Sequence, residues 1–72
     1  MYITIAEKIR ILAKRKGVTI QEIADALGYS RQNIYLRFKT GVWSERDLQK
    51  CAEVLGCTLN VVFIDNDTSE PL

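Results

Sequence analysis

Thr19-Ile20-Gln21-Glu22-Ile23-Ala24-Asp25-Ala26-Leu27-Gly28-Tyr29-Ser30-Arg31-Gln32-Asn33-Ile34 is the stretch that decides the fold, because it encodes two short helices joined by a tight glycine turn. The first helix opens with a capping box, in which the Thr19 hydroxyl accepts from the backbone three residues on and Glu22 reaches back to the cap. It closes at Gly28, which enters the left-handed conformation that ends a helix without a Cβ penalty. The second helix opens almost at once. Ser30 is a good N-cap, and Tyr29 just before it can staple onto Ile34, which sets the angle at which the second helix leaves the turn.

Caps and apolar spacing extend the pattern both ways. Upstream, Thr4 with Glu7 forms another capping box, Ile5, Ile9 and Leu12 recur at helical spacing, and Gly17 supplies the stop, so a helix is predicted over about 5–16. Val18 and Ile23 staple the start of the next, over about 20–27, with Ile20, Ile23, Ala24 and Leu27 inward. The third, over about 31–39, turns Ile34 and Phe38 inward and breaks at Thr40-Gly41. Ser44 caps a fourth over about 45–55, with Asp47 at its third position, Trp43 stapling onto Leu48, and Gly56 at its end.

The segment after Gly56 differs in kind. Thr58-Leu59-Asn60-Val61-Val62-Phe63-Ile64 is β-branched and aromatic, without Glu, Lys or Ala, and reads as a β-strand. A lone strand needs a partner. The same strand of a second copy, paired antiparallel across a two-fold axis, would bury Leu59, Val61 and Phe63 at a homodimer interface. The alternative is an intrachain pairing, for which Tyr2-Ile3 is the other β-prone stretch, or an extended arm packed on the core. The expected organisation is one domain over 1–64 and a frayed acidic tail over 65–72.

Seventy-two residues, 47% hydrophobic and 26% charged, with one proline, suit a single globular domain near the lower size limit for one apolar core. The net charge of +1 is unevenly spread. Ten basic and six acidic residues precede residue 65, leaving a body of net +4, whereas Asp65, Asp67 and Glu70 give the tail −3. The local clusters Lys14-Arg15-Lys16 and Arg31, Arg37, Lys39 suit a polyanion, although helix ends also attract cations to complement the helix dipole. The apolar runs are too short to span a bilayer, and the N-terminus lacks the pattern of a signal peptide, so the expectation is a cytoplasmic protein without membrane contact. Cys51 shares an apolar helix face with Leu48 and Leu55, Cys57 comes just after a helix stop, and both are expected to be reduced packing residues.

Ala24 in the middle of the first motif helix, Gly28 four residues on and Ile34 six after that resemble the helix-turn-helix of the phage repressor and Cro-like regulators, also called the XRE family. The resemblance covers roughly residues 4–56. It extends to a subgroup in which a Ser-capped helix ends in Leu-Gly-Cys, here Leu55-Gly56-Cys57, before a C-terminal strand. It implies an all-α, four-helix repressor-like domain that binds double-stranded DNA and regulates transcription, read here as a repressor. The chain departs from the family at three places. Ile20 stands where many members place a phosphate-binding Gln, Arg37 stands where an apolar residue is usual, and a strand replaces the common fifth helix.

Turning about 100° per residue from Ile34 and Phe38, the outward arc of the third helix is Gln32, Leu36 and Lys39, flanked by Arg31, Asn33, Tyr35 and Arg37. The resemblance implies that Arg31 and Gln32, just after the N-cap, reach base edges. Arg pairs bidentately with guanine and Gln with adenine. Leu36 suits a thymine methyl, and Tyr35 can serve bases or phosphates. Ser30, Asn33, Arg37 and Lys39 are expected at phosphates, together with Thr19 and Gln21 at the start of the first motif helix.

An enzyme is not expected. There is no histidine, the two cysteines lack partners at metal-ligand spacing, and no Gly-rich phosphate loop is present. No cofactor, metal or small-molecule ligand is expected, since the apolar side chains are needed for the core. The rival reading is a protein-interaction module, such as an antitoxin or anti-repressor, acting through the C-terminal strand.

Overall fold

Four helices supply the regular structure in a computed structural model that describes residues 3–72: α1 (Ile5–Lys16), α2 (Ile20–Leu27), α3 (Arg31–Thr40) and α4 (Glu45–Leu55). Each starts at an extended hydroxyl residue, Thr4, Thr19, Ser30 or Ser44, whose side chain accepts from the backbone N–H three residues on. Each ends at a glycine in the left-handed region. The capping boxes of α2 and α4 are complete: Thr19 N donates to Glu22 Oε2 at 3.2 Å, and Ser44 N to Asp47 Oδ2 at 3.1 Å. That of α1 is made on one side only. There the Thr4 hydroxyl donates to Glu7 Oε1 at 3.1 Å.

The core draws Ile9 and Ala13 from α1, Ile23, Ala24 and Leu27 from α2, Ile34 and Phe38 from α3, and Cys51 and Leu55 from α4. The closest helix pairings are α2 with α4, α1 with α4, and α2 with α3. Ala24 is fully buried, where its single methyl lets neighbouring elements approach. Val18, Tyr29 and Trp43, the residues expected to staple helix starts, all pack against this core. The Phe38 ring meets Trp43 edge-on at 5.1 Å, and the Arg10 guanidinium covers it at 4.4 Å, which seals the end of α3. Ile5, which shares the helical spacing of Ile9 and Leu12, is 44% exposed and lines an open cleft between α1, α4 and residues 58–62.

The described residues form no sheet, and the strand expected over 58–64 is not formed in the single chain. Residues 57–63 take no regular structure, and among the described residues the one β-bridge joins Ile64 to Pro71. The tail expected to fray doubles back: Phe63 and Leu72 exchange backbone hydrogen bonds at 3.4 and 2.8 Å, and Asp65 N donates to Glu70 O at 3.0 Å. The turn is local, closed by Asp67 N donating to the Asp65 side chain at 2.8 Å. A ladder needs a second row of donors and acceptors, and none pairs with 58–62 among the described residues. The alternative intrachain partner, Tyr2-Ile3, includes Tyr2, which lies outside the described residues. Leu59 is half-buried, whereas Val61 and Phe63 are exposed. No helix among the described residues is long and apolar enough to cross a membrane.

Candidate nucleic-acid interface

The turn between α2 and α3 is built from three residues. Gly28 takes φ +77°, its N–H reaching Asp25 O at 3.2 Å, while Tyr29 N reaches back to Ala24 O at 2.9 Å. A Cβ at Gly28 would meet nothing within 4 Å, so glycine is required here by conformation, not by space. Ser30 then caps α3, its Oγ accepting from Asn33 N at 3.1 Å. These bonds close α2 and open α3 within three residues. They fix where α3 begins.

Ile34 and Phe38, at i and i+4, turn inward, and the opposite side of α3 faces solvent. Ser30, Gln32, Asn33, Tyr35, Leu36 and Lys39 line one shallow open surface. Leu36 is 55% exposed there and Tyr35 42%. Beside it, Thr19, Ile20, Gln21, Arg31 and Tyr35 line a cleft between the start of α2 and α3, so Tyr35 borders both. The Arg31 guanidinium lies 5.8 Å from the Tyr35 ring centre, and Gln21 Nε2 donates to Asp25 Oδ1 at 2.9 Å. The tertiary structure thus gathers nine of the ten residues expected at the interface: Thr19, Gln21, Ser30, Arg31, Gln32, Asn33, Tyr35, Leu36 and Lys39.

The tenth, Arg37, points elsewhere. Its Nη1 donates to Asp47 Oδ2 at 3.0 Å and to Val42 O at 3.3 Å, and its guanidinium stacks 4.3 Å over the Tyr29 ring. Only 25% of its side chain is exposed. Where the sequence reading expects a phosphate contact, Arg37 makes an intramolecular ion pair, which gives a buried carboxylate the cation it needs.

That carboxylate is Asp47, fully buried and, among the described residues, the one buried charged side chain. Its Oδ1 accepts from Tyr29 Oη at 2.7 Å, and its Oδ2 accepts from Arg37 Nη1 and from Ser44 N. Burial alone would raise its pKa. The hydrogen bonds from Tyr29 and Ser44 and the Arg37 charge outweigh burial and hold the carboxyl below its ordinary range. The Tyr29 phenol is pushed up, first by its hydrogen bond to Asp47, then by burial and the Asp47 charge. Sequence reasoning identifies Asp47 only as a capping residue. The signal for more was present: Asp47, Cys51 and Leu55, at i, i+4 and i+8, share one helix face, and that face is apolar apart from the carboxylate.

α3 carries no acidic residue, and with Arg37 paired to Asp47 its outward charge comes from Arg31 and Lys39. A helix edge with a guanidinium, an ammonium, two carboxamides, a phenol and one leucine can donate, accept and make apolar contact along a single strip. Comparison with family models, with curated proteins and with solved structures finds no match to this chain.

Proposed function

We propose that the chain is a sequence-specific DNA-binding transcriptional regulator, a repressor in the manner of the phage repressor and Cro-like proteins it resembles, with α2, turn and α3 acting as a helix-turn-helix. The observation that carries this reading is the outer face of α3, where Gln32, Tyr35, Leu36 and Lys39 stand exposed while Ile34 and Phe38 are buried behind them. A major groove admits one α-helix and offers donors, acceptors and thymine methyls to such a strip. Arg31, Gln32, Tyr35 and Leu36 read bases. Thr19, Gln21, Ser30, Asn33 and Lys39 hold phosphates and set register.

The regulator works as a cytoplasmic homodimer. Val61 and Phe63, 55% and 75% exposed, together with Leu59, are the apolar side chains that antiparallel pairing of two 58–64 segments would cover. Its operator then holds two related half-sites about one helical turn apart.

Selection of bound duplexes from a random pool at near-physiological salt tests the proposal, because phosphate attraction is weakened there and base readout must carry enrichment. An inverted repeat is the expected product. No enrichment by folded protein would refute specific regulation and favour the second reading, a protein-interaction module, which draws support from the exposed run Val61-Val62-Phe63-Ile64.

A further inference from the structure

We infer that Asp47 is the positioning residue that sets how α3 is presented, one buried carboxylate tethering both ends of α3 to the first turn of α4. The consequence for DNA readout rests on the function proposed above; the tethering itself does not.

Ile34 and Phe38 hold α3 to the core through apolar contact, which favours burial but is non-directional. In the closest helix pairings α3 takes part once, with α2, and not with α4. Two contacts four residues apart form a narrow stripe, about which a ten-residue helix can tilt or roll. The Asp47 bonds are directional and remove that freedom. Tyr29, just ahead of the Ser30 cap, binds one oxygen, and Arg37, in the last turn of α3, binds the other. These residues are eight apart in sequence, one in the turn before α3 and the other in its last turn. Their side chains converge, with the guanidinium over the phenol ring, so the carboxylate, ring and guanidinium close a triangle.

The apex of that triangle is itself fixed. Asp47 closes the capping box of α4, accepting from Ser44 N while its own N–H donates to Ser44 Oγ at 3.0 Å. A roll of α3 by one residue, about 100°, would break both tethers. A smaller tilt would carry Gln32 and Lys39 in opposite directions relative to a groove, and a side-chain hydrogen bond does not survive stretching to about 3.6 Å.

The test compares wild type with Asp47→Asn, which keeps the shape and an acceptor for Tyr29 but puts an amide donor where Oδ2 accepts from Arg37 and Ser44 N. Two measurements are made: backbone residual dipolar couplings of the free protein, and competition between the duplex selected by wild type and a scrambled one. The expected result is that α1, α2 and α4 still fit the wild-type frame while Arg31–Thr40 departs from it. Preference for the selected duplex falls about ten-fold, the worth of one lost base contact, with binding to the scrambled duplex changed less than about two-fold. A merely stabilising role would lower the unfolding midpoint and leave the α3 couplings in frame, which overturns the inference. So does an α3 that moves with preference unchanged. A wild type that selects no duplex refutes the DNA reading, and the couplings, which need no DNA, still decide the tethering. If Asp47→Asn does not fold, Tyr29→Phe and Arg37→Gln each cut one tether and are measured the same way; α3 unmoved in both overturns the inference.

Discussion

Tyr29 Oη donates to Asp47 Oδ1 at 2.7 Å across eighteen residues of sequence, joining the turn before α3 to the first turn of α4. Neither group is exposed enough to exchange this bond freely for water, since Asp47 is fully buried and Tyr29 packs against the core. Each group therefore shifts the other's titration, the phenol upward and the carboxyl downward.

Deprotonating Tyr29 would set a phenolate against the Asp47 carboxylate, so its pKa lies above the ordinary 10.0, chiefly through that hydrogen bond. A raised folded pKa stabilises the fold below 10.0, and the contribution is lost as pH rises through the folded value. In an ultraviolet absorbance titration, the component missing from Tyr29→Phe should be one that titrates above 10.0. A missing component that titrates at or below that value would mean the bond is absent in solution.

The Asp47 carboxyl behaves oppositely. Its folded pKa is lowered from 3.8 because hydrogen bonds and Arg37 outweigh burial, so its contribution is present above 3.8 and disappears as pH falls through the lower folded value. Urea unfolding of wild type should weaken on acidification below about pH 4 more steeply than that of Asp47→Asn. Parallel pH curves would deny Asp47 this role.

Arg37 and Lys39 lie two residues apart and should behave differently. Arg37→Ala leaves a buried carboxylate short of a donor and should cost about 1–3 kcal/mol of stability in urea unfolding. Lys39→Ala should change stability by less than about 0.5 kcal/mol, yet lower the salt dependence of DNA binding by about one phosphate contact. Arg31→Ala should retain the fold and lose sequence preference; equal loss on every sequence would move Arg31 to the phosphates.

Cys51 should be inert. Burial, aided by the Asp47 charge, raises its thiol to about 11, so almost no thiolate forms near neutrality. Iodoacetamide at about pH 8 should alkylate the half-buried Cys57 and spare Cys51 until urea unfolds the chain, as peptide mass spectrometry would show. Early labelling of Cys51 would indicate that α4 opens readily.

The helix limits were legible because the signals that set them act within one turn. Thr19 and Glu22, or Ser44 and Asp47, are three residues apart, and the glycine after each helix needs only its own φ. The outer face of α3 was legible for a similar reason: once Ile34 and Phe38 are inward, helical geometry sends Gln32, Leu36 and Lys39 outward. Periodicity finds a face but not what covers it. Ile5 continues the apolar stripe of α1, yet no element closes over it.

Four capped helices and the polar strip on α3 are thus written in the chain itself, because they arise from bonds and angles between near neighbours. The fate of Arg37, whose partner Asp47 is ten residues away, is settled only on folding. So is the conformation of residues 58–64, whose pairing depends on another strand being beside them. A cation's destination is set by whichever anion folding brings close and strips of water, and that competition is not written in the spacing of residues along a helix.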